Sequence, residues 1–136
     1  MSRLTFDAAS VSALIDDLVK RLPVDPTRVY LTGISSSAAW ASRIAAESQR
    51  FAALVLISSA RLDPSLACSL KGTSVWAFHN EKDPIRPLQP VRDMVDAVQA
   101  CQGVAKITVY PKSSHDAWTD AYSETSLYQW LANQRR

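Results

Sequence analysis

The sequence predicts an α/β fold in which about four parallel strands are flanked by helices. Segments with helical periodicity alternate with short apolar strands, which is the pattern of proteins that join parallel strands through crossover helices. Residues 51–57 are continuously apolar, as is typical of a strand covered by helices on both faces. At 136 residues, the chain is long enough for a single domain over residues 1–136 and too short for two.

The predicted order is helix, strand, helix, strand, strand, helix, strand, helix. The helices cover residues 7–22, 36–49, 88–101 and 122–133, and the strands cover residues 28–32, 51–57, 74–79 and 106–110. The first helix carries apolar residues at helical spacing, Thr5 or Asp7 can cap its start, and Pro23 ends it. Residues 28–32 are rich in β-branched and aromatic residues, and we expect Gly33 to break this strand. The alanine-rich helix over residues 36–49 follows at once.

The later elements rest on the same two periodicities. Residues 74–79 and 106–110 combine β-branched and aromatic residues, as strands do. Residues 88–101 place apolar side chains at helical spacing, and so does the last predicted helix. The link over residues 58–73 is long for a loop, so we expect it to contain a short helix near residues 64–70.

Composition and charge exclude several classes of protein. A hydrophobic fraction of 47% and a charged fraction of 21% are ordinary for a globular protein and exclude disorder. The 15 basic and 13 acidic residues leave a net charge of +2, which is too small and too scattered for a nucleic-acid surface. No apolar run is long enough to cross a bilayer, and no export signal is visible. We therefore expect a cytoplasmic protein with neither a membrane nor a nucleic acid as partner.

The two cysteines, Cys68 and Cys101, are too few for a scaffold held by several disulfides. They fit a reducing compartment and equally a single bridge in an oxidising one. Because no export signal is visible, free thiols are favoured. No cluster of cysteine and histidine has metal-ligand spacing, so we expect no metal and no other cofactor.

The clearest local motif is Gly33-Ile34-Ser35-Ser36-Ser37, at the point where a strand turns into a helix. A serine on such a corner is raised above the sheet, with its hydroxyl exposed to a substrate. The N–H of the following residue, Ser36, then points at an oxyanion formed there, next to the positive end of the helix dipole. Ser35 is thus a candidate nucleophile, although a plain helix cap is a common role for serine at this place.

A serine nucleophile needs a base, and the base needs a carboxylate that orients it. His115 follows the fourth predicted strand and Asp83 follows the third, so both are expected at the same edge of the sheet as Ser35. Glu81 or Asp116 could replace Asp83 as the acid. His79 ends the third strand and is a less suitable base, because it lies only four residues before Asp83.

Four segments of the chain resemble a known family. They cover residues 24–35, 50–55, 76–83 and 114–122. They are similar, in that order, to the approach to the nucleophile, the next strand, the segment of the catalytic acid and the segment of the catalytic histidine in α/β-hydrolases. The nearest resemblance is to carboxylesterases related to polyhydroxybutyrate depolymerases, feruloyl esterases and prolyl-oligopeptidase-like hydrolases. It implies a serine esterase with the order Ser35, Asp83, His115, which needs no cofactor.

The chain departs from the family pattern in two ways. Ser37, Asn80 and Ser114 stand where the family usually has glycine. The chain also begins at the helix before the nucleophile strand, so the resemblance implies a truncated, minimal α/β-hydrolase fold. The strand over residues 28–32 would then be an exposed edge, for which we expect pairing in a homodimer or larger assembly. The second oxyanion donor would have to come from residues 3–6 or from the partner chain.

These observations predict hydrolysis of small or short-acyl carboxylic esters through an acyl-enzyme. Ser35, His115 and Asp83 are its candidate catalytic residues, and the Ser36 N–H is the candidate oxyanion donor. Trp118 and Trp40 are candidates for lining a shallow pocket, although aromatic residues at such positions are often simply packed. The alternative is a catalytically degenerate hydrolase that acts as a binding or assembly module, which the incomplete oxyanion hole and Ser37 favour.

Overall fold

The computed structural model describes residues 7–136 and contains one four-stranded parallel sheet. The strands are β1 (Tyr30–Ile34), β2 (Ala53–Ile57), β3 (Ser74–Asn80) and β4 (Ala105–Tyr110), and they lie in that order across the sheet. Each strand pairs in parallel with the next one along the chain. The predicted fold class is therefore confirmed.

Within residues 7–136, five α-helices and one 3₁₀ helix cover the sheet. They are α1 (Ala8–Arg21), α2 (Ser36–Ser48), the 3₁₀ helix (Pro64–Leu70), α3 (Gln89–Ala100), α4 (Trp118–Ser123) and α5 (Thr125–Ala132). The connections between successive strands run through α2, the 3₁₀ helix and α3. Because right-handed crossovers that advance in one direction lie on one face, these three elements share a face of the sheet. The short helix expected in the long link is confirmed.

The core consists of two apolar layers, one on each face of the sheet. On the first face, α1, α2, the 3₁₀ helix and α3 pack against alternate strand residues such as Leu54, Leu56 and Val75. On the second face, α4 and α5 pack against the intervening residues, which include Val55 and Phe78. Because β2 is covered on both sides, all five of its residues are buried, as its sequence predicts. No helix among residues 7–136 is long and apolar enough to cross a membrane.

The first helix and strand correct one sequence expectation. The Asp7 side chain accepts a hydrogen bond from the Ser10 N–H at 2.7 Å, which confirms Asp7 as a cap of α1. Thr5, the other candidate cap, lies outside the described residues. The expectation that Gly33 breaks the strand is wrong, because Gly33 lies within β1 and pairs with Leu56. A side chain at Gly33 would come within 2.5 Å of the Ser37 carbonyl oxygen. Glycine is required here because α2 folds back closely onto the strand that precedes it.

The end of the chain differs from the expectation of one helix over residues 122–133. Helix α4 begins at Trp118, and Glu124 interrupts the helical path with an extended backbone, at φ −78° and ψ 117°, before α5. The Tyr110 hydroxyl donates a hydrogen bond to the Glu124 carboxylate at this break. Burial and this neighbouring negative charge raise the pKa of Tyr110. The break therefore depends on a contact with β4 that local periodicity does not reveal.

Cys68 and Cys101 form a disulfide, which corrects the preference for free thiols. The bond joins the 3₁₀ helix to the C-terminal end of α3, and the two Cα atoms are 5.1 Å apart. This pairing could not be predicted from the sequence, because the two cysteines are 33 positions apart and meet only through the packing of two crossover elements.

Removing this disulfide is expected to destabilise the fold. For a loop closed over 33 residues, chain entropy predicts a loss of about 3–4 kcal/mol in the free energy of unfolding when both cysteines become serine. Urea denaturation of the C68S/C101S protein measures the change. Wild type treated with a reductant should show the same lowered midpoint. Unchanged midpoints in both samples would contradict a stabilising disulfide.

Candidate active site

Ser35 occupies the corner between β1 and α2 in an unusual backbone conformation. Its φ is 56° and its ψ is −118°, which places a non-glycine residue in a region that costs about 1–3 kcal/mol. The Ser35 N–H donates to the Ile57 carbonyl at 2.9 Å, and its carbonyl accepts from Ala38 and Ala60. Its side chain makes no capping bond to α2, although Ser35 precedes the helix. The interpretation of Ser35 as a plain helix cap therefore fails.

The Ser35 hydroxyl instead faces a histidine that is backed by a carboxylate. Its Oγ lies 3.1 Å from His115 Nε2, and His115 Nδ1 lies 2.6 Å from Asp83 Oδ2. Because an ionised carboxylate can only accept, Nδ1 carries a proton and donates a hydrogen bond to Asp83. Nε2 is then free to accept a hydrogen bond from the Ser35 hydroxyl. The structure thus brings together the three residues that the sequence singles out at the ends of β1, β3 and β4.

Asp83 is a buried, ionised carboxylate. Its side chain has 0% exposure, and burial by itself would raise its pKa. Hydrogen bonds from the Arg86 N–H, the His115 ring and the Ile85 N–H outweigh burial and hold the pKa of Asp83 below its usual value. The two backbone N–H groups both donate to Oδ1, at 2.9 and 2.8 Å, so Oδ2 is left to face the histidine.

The carboxylates of the other candidate acids make no hydrogen bond to the His115 ring. Glu81 is exposed to solvent. The Asp116 carboxylate accepts from the N–H and the hydroxyl of Thr119, at 2.9 and 2.7 Å. These bonds lower the pKa of Asp116 and tie its side chain to the first turn of α4.

The loop that carries His115 is fastened by two buried polar residues that the sequence did not mark as functional. The Asn80 amide donates to the carbonyls of Ser114 and Asp116, at 2.8 and 3.0 Å. The Ser58 hydroxyl donates to the carbonyl of His115 at 2.6 Å. Three consecutive carbonyls are thus held by side chains from β3 and from the end of β2. The departures from glycine at positions 80 and 114 were the available signs of this arrangement.

The second histidine, His79, supports the loop that carries Asp83. Its ring is fully buried, and Nε2 donates to the Arg86 carbonyl at 2.8 Å. The same nitrogen lies 3.7 Å from Asp83 Oδ2, which is too far for a strong hydrogen bond. His79 is therefore a structural residue behind the carboxylate and not the partner of Ser35.

The two candidate pocket aromatics have different neighbours in the structure. Trp118 packs edge-on against the His115 ring, with centroids 5.5 Å apart. Trp40 is 58% exposed and lines a shallow hollow of about 280 Å³ together with Ser36, Ala60 and Arg43. Ser36 opens α2, where the first backbone N–H groups have no partner within the helix. The candidate second donor among residues 3–6 lies outside the described residues.

Comparison with solved structures finds the same architecture in several hydrolases. A thermostable esterase superposes with a TM-score of 0.83 at 27% identity, over 94% of this chain and 36% of the esterase. A candidate dienelactone hydrolase from Klebsiella pneumoniae gives 0.72 at 22% identity, over 93% of this chain and 62% of that one. The acylaminoacyl peptidase of Pyrococcus horikoshii superposes with a TM-score of 0.71 at 13% identity, over 82% of this chain and 24% of the peptidase.

The chain thus spans between about a quarter and somewhat under two thirds of these neighbours. No family model matches the sequence, and neither does any curated protein. At 22% and 13% identity, the second and third neighbours bear on the fold alone.

Proposed function

We propose that this chain, which has the α/β-hydrolase fold, is a serine hydrolase that cleaves small or short-acyl carboxylic esters. One observation carries the proposal, namely the unbroken series of contacts from the Ser35 hydroxyl through His115 to the Asp83 carboxylate, at 3.1 and 2.6 Å. The strained corner at Ser35 supports it, because backbone strain of this kind is concentrated at functional sites.

Acylation begins with attack of Ser35 Oγ on the ester carbonyl carbon. His115 Nε2 takes the hydroxyl proton as the new C–O bond forms, and the buried Asp83 carboxylate stabilises the imidazolium. The carbonyl electron pair moves onto oxygen, where the Ser36 N–H and the N-terminus of α2 stabilise the negative charge. Collapse of this intermediate breaks the ester bond, and Nε2 returns its proton to the departing alcohol.

Deacylation repeats the same proton transfers with water. His115 accepts a proton from water, the resulting hydroxide attacks the acyl carbon, and Ser35 leaves with the proton from Nε2. Loss of one donor from an oxyanion hole typically costs about 10²–10³ in rate, so the Ser36 N–H is an important part of this stabilisation. Esters with good leaving groups suit such a site better than amides, whose leaving nitrogen needs stronger protonation. The shallow hollow beside Ser36 suits a short acyl group.

Hydrolysis of p-nitrophenyl acetate by the purified chain tests the proposal, together with labelling by a fluorophosphonate. We expect turnover above the buffer rate, and a mass increase that maps to Ser35 and not to Ser36 or Ser37. Equal rates for wild type, Ser35→Ala and His115→Ala, with no labelled serine, would instead leave a binding or assembly module.

Replacing Asn80 by alanine is expected to lower kcat about 10- to 100-fold while KM changes little. The change releases the carbonyls on both sides of His115, and a displacement of about 1 Å at a reacting group can cost about 10²-fold. Steady-state kinetics measure the effect, and thermal unfolding shows whether the protein remains folded at the assay temperature. A folded Asn80→Ala protein with wild-type kcat would show that Asn80 is not needed to position His115.

We propose further that the outer edge of β1 pairs with a second copy of the chain. Among residues 7–136, no strand pairs with this edge, so its backbone N–H and C=O groups are available. Leu14 and Leu22 of the preceding segment are also more than half exposed. Light scattering should give twice the 15.0 kDa mass of the chain. A stable monomer at micromolar concentration would rule out this pairing.

A further inference from the structure

Arg86 is held rigidly beside the candidate nucleophile. Its backbone N–H donates to Asp83 Oδ1 at 2.9 Å, and its carbonyl accepts from the buried His79 ring at 2.8 Å. Its side chain then turns toward the start of α2, where Nη2 lies 3.5 Å from Ser36 Oγ. The contacts that orient Asp83 therefore also fix the backbone of Arg86, whose positively charged side chain lies next to Ser36.

The Arg86 guanidinium has unused hydrogen-bonding capacity. Its Nε is buried and has no acceptor among the described residues. A buried N–H without a partner is costly, and a guanidinium offers five donors in a planar fork. No carboxylate within residues 7–136 forms an ion pair with Arg86 or with its neighbour Arg61.

Arg86 and Arg61 line one pocket of about 260 Å³, which also includes Ser59, Leu62 and Asp93. Asp93 supplies a negative charge to its wall, and one of its carboxylate oxygens already accepts from the Gln89 amide at 2.8 Å. Ser59 directly precedes Ala60, which lines the hollow beside Ser36 and Trp40. A third positively charged residue, Arg43, lines that hollow. Positive charge from Arg86 and Arg43 therefore lies close to Ser36, the residue that follows the candidate nucleophile.

We infer that Arg86, assisted by Arg61, forms an anion subsite, and that the preferred esters carry a carboxylate on the acyl chain. The inference rests on the proposed hydrolase function. A guanidinium matches a carboxylate through two parallel hydrogen bonds, and the partial burial of Arg86 strengthens such a pair relative to one in bulk water. We assign the carboxylate to the acyl group, which stays bonded to Ser35 in the acyl-enzyme, so that its pairing with Arg86 acts in both acylation and deacylation.

A matched pair of esters tests the subsite. Monoethyl glutarate and ethyl valerate both carry five-carbon acyl groups and differ in the terminal carboxylate. We expect wild type to prefer the anionic ester in kcat/KM, with a preference that falls as salt is added. Arg86→Gln should lower kcat/KM for monoethyl glutarate about tenfold or more and change that for ethyl valerate less than about twofold. Arg61→Gln should act in the same direction but more weakly.

Arg21→Gln is the matched control, because it removes the same charge from an exposed side chain in the last turn of α1. It should leave the ratio of the two esters unchanged. If Arg86→Gln also leaves that ratio unchanged while both esters are cleaved, the anion subsite is wrong and the hydrolase function stands.

A binding measurement separates the two proposals. Ser35→Ala protein is titrated with monoethyl glutarate and with ethyl valerate, and the chemical shifts of its backbone amides are followed by NMR. Tighter binding of the anionic ester, lost in Ser35→Ala/Arg86→Gln, would support the subsite. Failure of the wild type to cleave either ester would reject the hydrolase function and leave this support for the subsite in place. Equal affinities for the two esters would reject the subsite.

Discussion

Replacing Ser35 by alanine is expected to lower kcat for p-nitrophenyl acetate by about 10³-fold or more. Loss of the nucleophile from a complete serine triad costs about 10⁶-fold. Because the Ser36 N–H is the one donor identified among residues 7–136, we allow for a starting activity about 10²–10³-fold below that of a complete site, which leaves a loss of at least about 10³-fold. The loss should lie in kcat because Ser35 Oγ makes its decisive bond after the substrate is bound. Initial rates at saturating substrate, corrected for the buffer rate, measure it.

The same change at a remote serine is the control for this prediction. Ser10→Ala lies on the exposed surface of α1 and should retain wild-type activity. His115→Ala should lose about as much activity as Ser35→Ala, and the double variant should lose no more, because nucleophile and base act as one unit. Additive losses in the double variant would show that the two residues act separately, which contradicts the proposed relay.

The common edge that carries Ser35, Asp83 and His115 could be predicted because it follows from topology. In a parallel sheet the carboxyl ends of all strands lie at one edge, so residues that follow three strands share that edge. Since β1 and β4 are the outer strands of the four, contact between Ser35 and His115 also needs the loop after β4 to reach back toward β2, which topology does not show. The position of β2 between two helical layers could also be predicted, because its apolar run leaves no polar face for solvent. For these features, strand order and hydrophobic pattern are sufficient.

The supporting contacts could not be predicted, because they join residues far apart in the chain through specific packing distances. The Asn80 amide reaches residues 114 and 116 across the β3–β4 pair, and the Ser58 hydroxyl reaches residue 115 from the end of β2. The sequence shows only a polar residue at each of these places. The disulfide and the break at Glu124 depend in the same way on how separate elements pack.

Asp83→Asn is expected to lower kcat by about 10³-fold or more with little change in the fold. In wild type, Oδ1 accepts two backbone N–H groups and Oδ2 accepts the His115 Nδ1 proton. Asparagine must keep its oxygen toward the two N–H groups, so its amide nitrogen faces Nδ1. His115 must then accept at Nδ1 and carry its proton on Nε2, where it can no longer take the Ser35 proton. A forced tautomer of this kind costs about 10⁴-fold in a complete triad.

The substitution also has a signature in acid stability. Because the folded-state pKa of Asp83 is lowered, its carboxylate stabilises the fold above the unfolded-state pKa of about 3.9. That contribution is lost as the pH falls through the lower, folded-state value. Thermal unfolding between about pH 2 and 6 should therefore show a weaker decline toward acid in Asp83→Asn than in wild type.

Glu81→Gln and Asp116→Asn decide between the three acids that the sequence allows. Both should keep most of the activity, because neither carboxylate contacts His115, and Asp116 is already bonded to Thr119. A large loss in Asp116→Asn, together with an active Asp83→Asn, would assign the orienting role to Asp116. Such a result would require the His115 ring to turn away from the 2.6 Å contact that now holds it, and Ser35 would lose its base in the same movement.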